Sequence, residues 1–159
     1  MYLFLLQLRL ESPQALLSEP PHSLRCRMSL NSDATILIVD DDPGHARLIE
    51  RSLARASVAS RIKRFGDGQE VLDFLAGQAQ SGDAYLLLLD IRMPKLDGAE
   101  VLRQIKEDAH LRRIPVIMLT TTDDPREIAR CRALGCSEYL VKPVEDERLA
   151  EAISAFGQG

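Results

Sequence analysis

Three apolar runs in the chain lack the alternation of apolar and polar residues that half-exposed strands show. They lie at Thr35–Val39, Tyr85–Leu89 and Pro115–Leu119, and a polar residue follows each of them. Uninterrupted runs of this kind are typical of strands that are buried on both faces in a parallel sheet. Ser60–Phe65 is partly charged and is predicted to be an edge strand. Glu138–Val141 is predicted to be a last, short strand.

Segments with apolar residues at helical spacing separate these strands. The predicted helices are Pro43–Ala56, Gly68–Ala79, Ala99–Glu107, Pro125–Leu134 and Glu145–Phe156. Asp42 and Asp124 each precede a proline, which suits an N-cap followed by the first helical residue. Five strands that alternate with five helices through right-handed crossovers predict an α/β fold, a doubly wound five-stranded parallel sheet between two helical layers.

The first 33 residues differ from the rest of the chain. Their opening stretch, MYLFLLQLRL, is far shorter than the roughly 20 residues of a membrane-spanning helix, and no basic residue precedes it as in a signal peptide. The next segment contains prolines and has no sustained period. We expect residues 1–33 to be a flexible or mis-annotated extension, with translation starting at Met28, and residues 34–159 to form the domain. The alternative is an amphipathic N-terminal helix that docks on the domain or on a partner.

Composition indicates one soluble domain with a real core. The chain has 159 residues, of which 45% are hydrophobic and 28% charged, and its net charge is −4. This acidic balance argues against non-specific nucleic-acid binding, and no membrane association is expected. Cys26, Cys131 and Cys136 have neither the even count of a disulfide framework nor metal-binding spacing, so reduced packing thiols and a cytoplasmic location are expected.

Polar side chains follow four of the predicted strands where each strand ends. The first strand ends in Asp40 and Asp41, the third in Asp90 and the fourth in Thr120, and the last strand runs directly into Lys142. The carboxyl ends of parallel strands meet at one edge of a sheet, which is where ligands bind in open α/β folds. We therefore expect these side chains to lie close together.

The chemistry of such a cluster favours phosphoryl transfer. Three neighbouring carboxylates repel one another unless a cation neutralises them, and hard oxygen ligands suit Mg²⁺. Asp90 is the best-placed nucleophile because it is alone on its strand, whereas Asp40 and Asp41 have the character of metal ligands. The Lys142 ammonium and the Thr120 hydroxyl could neutralise phosphoryl oxygens.

Four motifs in the chain resemble those of the receiver domains of two-component response regulators. They are ILIVDDDP, LLLLDIRMPKLDG, PVIMLT and EYLVKP, and the resemblance covers the chain from about Thr35 to Phe156. It implies the flavodoxin-like, CheY-like fold with strand order 2-1-3-4-5. It also implies that Asp90 is the phosphoacceptor and that Lys142 and Pro143 are joined by a cis peptide bond.

The same resemblance implies roles for the residues around Asp90. Asp40, Asp41 and Asp90 would bind Mg²⁺ together with the backbone carbonyl of Arg92. Thr120 and Lys142 would contact the phosphoryl oxygens. Thr120 and Tyr139 would act as a switch that changes the face made by the fourth helix, the last strand and the last helix.

The expected role is that of a single-domain regulator whose output is contact with another protein. The segments LDGAEVLRQIKEDAHLRRIPVIMLTTT and LGCSEYLVKPV are similar to regulators that partner phytochrome-type and hybrid histidine kinases, which often form homodimers through the switch face. Competing roles are a phosphorelay shuttle between a kinase and a phosphotransferase, and a regulator that binds a motor or an enzyme.

Two readings from other classes use the same fold. A haloacid dehalogenase-like phosphatase needs a second acid two residues after its nucleophile, and this chain has Arg92 there. A flavodoxin-like cofactor binder needs a phosphate-binding loop after the first strand, where this chain has the acidic segment DDDPGH. We therefore expect a phosphoacceptor that catalyses only its own phosphorylation and dephosphorylation.

Overall fold

The structure, a computed structural model, describes residues 34–58 and 60–156. Within them five strands alternate with five helices. The strands are β1 (Thr35–Val39), β2 (Arg61–Phe65), β3 (Tyr85–Asp90), β4 (Val116–Thr120) and β5 (Glu138–Val141); the helices are α1 (Pro43–Arg55), α2 (Gly68–Gln78), α3 (Gly98–Glu107), α4 (Pro125–Ala133) and α5 (Asp146–Ser154). Every predicted strand and helix is present, and the ends agree with the predicted bounds to within two residues. The predicted N-terminal extension and its alternative, a docking helix, lie outside the described residues.

The five strands form one parallel sheet in the order β2-β1-β3-β4-β5. This confirms the doubly wound α/β fold and the flavodoxin-like, CheY-like strand order. The central strand β3 pairs with β1 on one side and with β4 on the other. The order places the carboxyl ends of β1 and β3 side by side, as the site prediction requires.

The core lies on both faces of the sheet, which explains the uninterrupted apolar runs. Along β3, Leu87 and Leu89 face one cluster, which includes residues of α2 and α3. Leu86 and Leu88 face the other cluster, which includes residues of α1 and α5. All four leucines are at most 2% exposed. A strand that is covered on both sides has no polar face, so its sequence shows no alternation.

The edge strand β2 differs from the central strands, as predicted. Its first four residues are exposed and only Phe65 is buried. The Lys63 ammonium lies 4.3 Å from the centroid of the Phe74 ring, within the range of a cation–π contact. Charged residues on an edge strand discourage pairing with a strand of another chain, so the sheet ends here.

Aspartate side chains begin four of the helices. Asp42 accepts hydrogen bonds from the backbone N–H groups of Gly44 at 2.7 Å and His45 at 3.3 Å, so it is the cap of α1 as predicted. Asp124 caps α4 in the same way, and Asp67 and Asp97 cap α2 and α3. Among the described residues, no helix combines the length and the apolar character that a membrane crossing requires.

Candidate functional site

Four strands bring the predicted site residues to one edge of the sheet. Asp90 is the last residue of β3 and Thr120 the last of β4, Asp40 follows β1, and Lys142 follows β5. Carboxylate oxygens of Asp40, Asp41 and Asp90 lie within 4.8 Å of one another. Asp40, Asp90 and Thr120 are the buried polar residues of the described chain, at 4%, 6% and 0% exposure. The structure therefore assembles every side chain that the sequence predicted for this edge.

Lys142 is the cation of this cluster. Its Nζ donates hydrogen bonds to Asp40 Oδ2 at 2.7 Å and to Asp90 Oδ1 at 3.2 Å. The peptide bond that follows, to Pro143, is cis as expected. One ammonium between two buried carboxylates supplies the pairing that buried charges need. Because three acids surround it, negative charge still exceeds positive charge at this edge.

The three carboxylates fit a hard divalent cation. Asp40 has both oxygens engaged, because Oδ1 also accepts a hydrogen bond from the Asp42 N–H at 2.9 Å. Asp41 is exposed, and no described group donates a hydrogen bond to its carboxylate. Two or three carboxylate oxygens beside solvent are the ligand set that Mg²⁺ prefers, since this ion keeps part of its water shell. The excess negative charge gives a cation a further electrostatic reason to bind.

Asp90 has a perturbed acidity. Burial raises the pKa of Asp90 above its ordinary value, the charge of Lys142 opposes this rise, and the charges of Asp40 and Asp41 add to it. The ionised carboxylate is the nucleophilic form, and a cation that balances the three acids favours this form of Asp90.

The loop after β3 fixes Asp90 through the backbone. The Ile91 N–H donates to Leu119 O at 3.1 Å, and the Gly98 N–H donates to Ile91 O at 2.8 Å. A Cβ atom at position 98 would lie 2.2 Å from the carbonyl oxygen of Asp90, so only glycine allows this close approach. Sequence reasoning missed this role of Gly98, although its place directly after the α3 cap Asp97 was a usable signal.

Thr120 and Tyr139 meet at the backbone of Thr122. The Thr120 hydroxyl accepts a hydrogen bond from the Thr122 N–H at 3.1 Å. The Tyr139 hydroxyl donates to the Thr122 carbonyl at 3.1 Å, and its ring is only 8% exposed. Burial raises the pKa of Tyr139. Thr122 therefore links the two predicted switch residues, a role that sequence reasoning did not assign to it.

Arg92 and His45 border the cluster without joining it. The Arg92 side chain points to solvent, with its guanidinium 3.9 Å from Glu127 Oε2. The metal-binding role of the Arg92 backbone carbonyl stays a prediction. His45 Nδ1 lies 3.8 Å from Asp40 Oδ2, and about half of the His45 side chain is exposed. Both side chains are placed to affect access to the site.

A groove between α1 and α5 opens beside Lys142. It has a volume of about 490 Å³, and its lining includes Leu48, Ile49, Val144 and Leu149. Leu48 lies on α1 and is 55% exposed. The site thus has an apolar surface next to its polar centre.

Comparisons with known proteins match the part of the chain that contains the site residues. A family model described as "Response regulator receiver domain" matches residues 36–154. The chain is 39% identical over 120 residues to the probable methanogenesis regulatory protein FilR2 of Methanothrix harundinacea, which covers 74% of this chain and 77% of that protein.

Two solved structures have the same fold. The response regulator receiver domain from Rhodospirillum rubrum is 46% identical with a TM-score of 0.66, and the match covers 77% of this chain and 90% of that one. The bacteriophytochrome response regulator AtBRR is 37% identical with a TM-score of 0.68, covering 77% of this chain and 91% of that one.

Proposed function

The chain belongs to the response regulator receiver domain family, and on this basis we propose that it accepts a phosphoryl group from a histidine kinase on Asp90 and signals through a changed protein-binding face. Receiver-domain response regulators are signalling proteins of two-component systems. The observation that carries the proposal is the position of Asp90, a buried carboxylate at the end of the central strand with the Lys142 ammonium 3.2 Å away.

The transfer is a displacement at phosphorus. An oxygen of Asp90 attacks the phosphorus of a phosphohistidine, the P–N bond breaks, and the imidazole nitrogen leaves with the electron pair of that bond. Lys142 holds Asp90 Oδ1, which leaves Oδ2 as the attacking oxygen. The Lys142 ammonium and the Thr120 hydroxyl then donate to the phosphoryl oxygens, where the negative charge is concentrated.

Mg²⁺ is the proposed cofactor. Asp40, Asp41 and Asp90 would hold it, together with the backbone carbonyl of Arg92. When bound, the ion neutralises charge on the carboxylates and on the phosphoryl oxygens. The protein itself keeps Asp90 in place through the close contact of its backbone with Gly98, and it supplies a cation of its own, Lys142, which pairs with Asp40 and Asp90.

The proposed switch starts at the Thr120 hydroxyl. A phosphoryl group on Asp90 offers oxygens that accept a hydrogen bond from this hydroxyl, so the Thr120 side chain turns toward Asp90 and its oxygen moves away from the Thr122 N–H. Because the Thr122 carbonyl accepts the Tyr139 hydroxyl, this movement disturbs the buried tyrosine on β5. The face made by α4, β5 and α5 then changes, and a partner that binds only one form of this face senses the signal.

A small-molecule phosphodonor tests the proposal. Incubation of the full chain with acetyl phosphate and Mg²⁺ should give one acid-stable, base-labile acyl phosphate per chain, as a mobility shift on a phosphate-affinity gel. Asp90→Asn should abolish it. Asp42→Asn is the matched control, since Asn also caps a helix and should leave phosphorylation intact. Sustained turnover of a phosphomonoester would instead identify a phosphatase.

A photoreceptor-type histidine kinase is the proposed donor. The support is the similarity to AtBRR, a bacteriophytochrome response regulator. Phosphotransfer from a panel of purified, autophosphorylated kinases tests this, with phytochrome-type and hybrid kinases beside unrelated ones. The phytochrome-type kinase should transfer fastest at equal concentration. Equal or faster transfer from unrelated kinases would argue against this donor.

We also propose a homodimer through the face of α4, β5 and α5. Three exposed arginines lie on α4, at positions 126, 130 and 132, and none has an ion-pair partner among the described residues. Glu145 and Glu147 are exposed at the start of α5, and Val141 of β5 is 41% exposed. A two-fold axis through Val141 would set basic α4 against acidic α5 of the partner.

Light scattering with and without beryllium fluoride, a phosphoryl mimic, measures this dimer. The mimic should double the mass of the full chain in solution. Val141→Asp should keep it monomeric, whereas Ile62→Asp, a change to an exposed apolar residue on the opposite edge of the sheet, should not. An unchanged mass with the mimic bound would refute the dimer and leave the phosphorylation proposal standing.

A further inference from the structure

The last turn of α4 ends in a hydrogen-bond pattern that brings two cysteines together. The Cys136 N–H donates to the carbonyl of Cys131 at 3.0 Å, and the Gly135 N–H donates to the carbonyl of Arg132 at 3.0 Å. Gly135 has a φ of +93°, which glycine adopts without strain. This is the Schellman arrangement. In it, the hydrogen bond that spans more residues brings the side chains of its two end residues into contact. Here those side chains are the thiols of Cys131 and Cys136.

The backbone distance is compatible with a disulfide bond. A hydrogen bond of 3.0 Å between Cys136 N and Cys131 O limits the separation of the two Cα atoms. Adding the short covalent paths from O and from N to those Cα atoms gives a ceiling of about 7 Å, and native disulfides span about 4.4–6.8 Å. Cys136 also packs against the core cluster that contains Cys131. The upper limit on the Cα separation thus lies at the top of the disulfide range, and the two side chains share one side of the helix end.

The two thiols differ in access. Cys131 is fully buried and Cys136 is half-buried, and both are free thiols in the structure. Burial, with a smaller contribution from the neighbouring Cys136, raises the pKa of Cys131 to about 11. Burial raises the pKa of Cys136 as well, and the positive charges of Arg132 and Lys106 oppose this rise. Cys136 is thus the thiol that a reagent reaches first, and Cys131 can react only with Cys136.

We propose that Cys131 and Cys136 form a reversible intramolecular disulfide, a modification site at the end of α4 that is separate from the site around Asp90. The oxidant is a low-molecular-weight disulfide of the glutathione type. The Cys136 thiolate attacks one sulfur of the reagent, whose S–S bond breaks and releases a thiolate. The Cys131 thiolate then attacks the mixed disulfide at Cys136 and releases the second one.

The exchange balances in atoms and electrons. The two protein thiols lose two electrons and two protons, and the reagent disulfide becomes two thiols. The raised pKa values make the reaction slow in neutral solution. The ratio of disulfide reagent to thiol decides the outcome: the pair stays reduced under reducing conditions and closes when the disulfide reagent is in excess. Closure of the disulfide fixes the last turn of α4 to Cys136. The next residue, Ser137, donates its N–H to Val116 O at 2.8 Å.

Mass spectrometry of the full chain tests the proposal. All proteins carry Cys26→Ser, so that only Cys131 and Cys136 can react. They are equilibrated with excess oxidised glutathione and then alkylated. The expected product has lost two hydrogen atoms, resists alkylation, gives a linked peptide containing both cysteines, and melts several degrees higher than the reduced protein. Addition of a dithiol reductant should restore two alkylatable thiols.

Two variants separate the roles of the thiols. Cys131→Ala should stop at a mixed disulfide on Cys136, because the resolving thiol is missing. Cys136→Ser should stay reduced, because the buried Cys131 is out of reach of the reagent. This change at a half-buried position disturbs the core less than Cys131→Ala. A mixed disulfide that persists on Cys136 in the parent protein, a link between two chains, or two thiols that remain alkylatable would each overturn the proposal.

Discussion

Gly98→Ala tests whether the contact between the start of α3 and the end of β3 holds the phosphoacceptor in place. The added Cβ atom would lie 2.2 Å from the carbonyl oxygen of Asp90 and 2.8 Å from the Cα of Ile91. Both neighbours are backbone atoms, so no side-chain rotation relieves the overlap. The backbone of Gly98 is outside the left-handed region, so the contact alone disfavours alanine.

The expected loss of stability follows from this geometry. A carbon–oxygen contact needs about 3.5 Å, so the loop must move by about 1 Å. Overpacking of this kind costs about 1–3 kcal/mol, and weakening the Gly98 N–H hydrogen bond to Ile91 adds about 1 kcal/mol. We therefore expect the free energy of unfolding to fall by about 3 kcal/mol, which corresponds to a decrease in Tm on the order of 10 °C.

Urea unfolding followed by circular dichroism measures this change, and the initial rate of phosphorylation by acetyl phosphate measures its effect on Asp90. Gly77→Ala is the matched control, because Gly77 lies in α2 and a Cβ there meets no atom within 4 Å. The control should raise stability by up to about 1 kcal/mol and leave phosphorylation unchanged. If Gly98→Ala matched the parent protein in both stability and rate, the close contact would not be what positions Asp90.

Three further changes probe other features. Asp90→Asn should stabilise the protein at neutral pH. Burial raises the folded-state pKa of Asp90 above its ordinary 3.8, so the protein loses stability as the pH rises from 3.8 through this raised pKa and Asp90 becomes charged. The gain should vanish in melts below pH 3.8, and an equal gain at all pH values would contradict it. Lys95→Gly should stabilise by about 1 kcal/mol in urea titrations, because Lys95 has a φ of +70° and its ion pair with Asp67 is exposed; a loss of stability would show that the ion pair matters more. Tyr139→Phe should lower the free energy of unfolding by about 1 kcal/mol through loss of the hydrogen bond to Thr122, while Asp90 still accepts phosphate; loss of phosphorylation would place Tyr139 in the chemistry instead.

The fold could be predicted from the sequence because its physical causes are local. Burial of a strand on both faces gives an uninterrupted apolar run, such as LLLL in β3. The caps Asp42 and Asp124, each followed by a proline, mark the starts of α1 and α4. The convergence of the site residues followed from one topological rule about parallel strands. The structure places each predicted side chain at that edge, while their roles in phosphorylation remain predictions.

Contacts between distant segments could not be predicted in this way. The role of Gly98 depends on its distance to the carbonyl oxygen of Asp90, eight residues earlier. The link from Thr120 to Tyr139 passes through the N–H and the carbonyl of Thr122. Lys142 contacts both Asp40 and Asp90 because its Nζ lies within hydrogen-bond distance of each, which the sequence pattern does not specify. Sequence pattern specifies which strand end a residue occupies, but not which of its atoms is engaged.

The most direct test of the account is to locate the phosphoryl group on the chain. After reaction with acetyl phosphate and Mg²⁺, reduction with borohydride converts a phosphorylated aspartate into homoserine, which peptide mass spectrometry can identify. The account predicts one modified residue, Asp90, in the peptide that contains β3. Homoserine at Asp40 or Asp41 with Asp90 unchanged, or no modification while the fold and metal binding are intact, would contradict it.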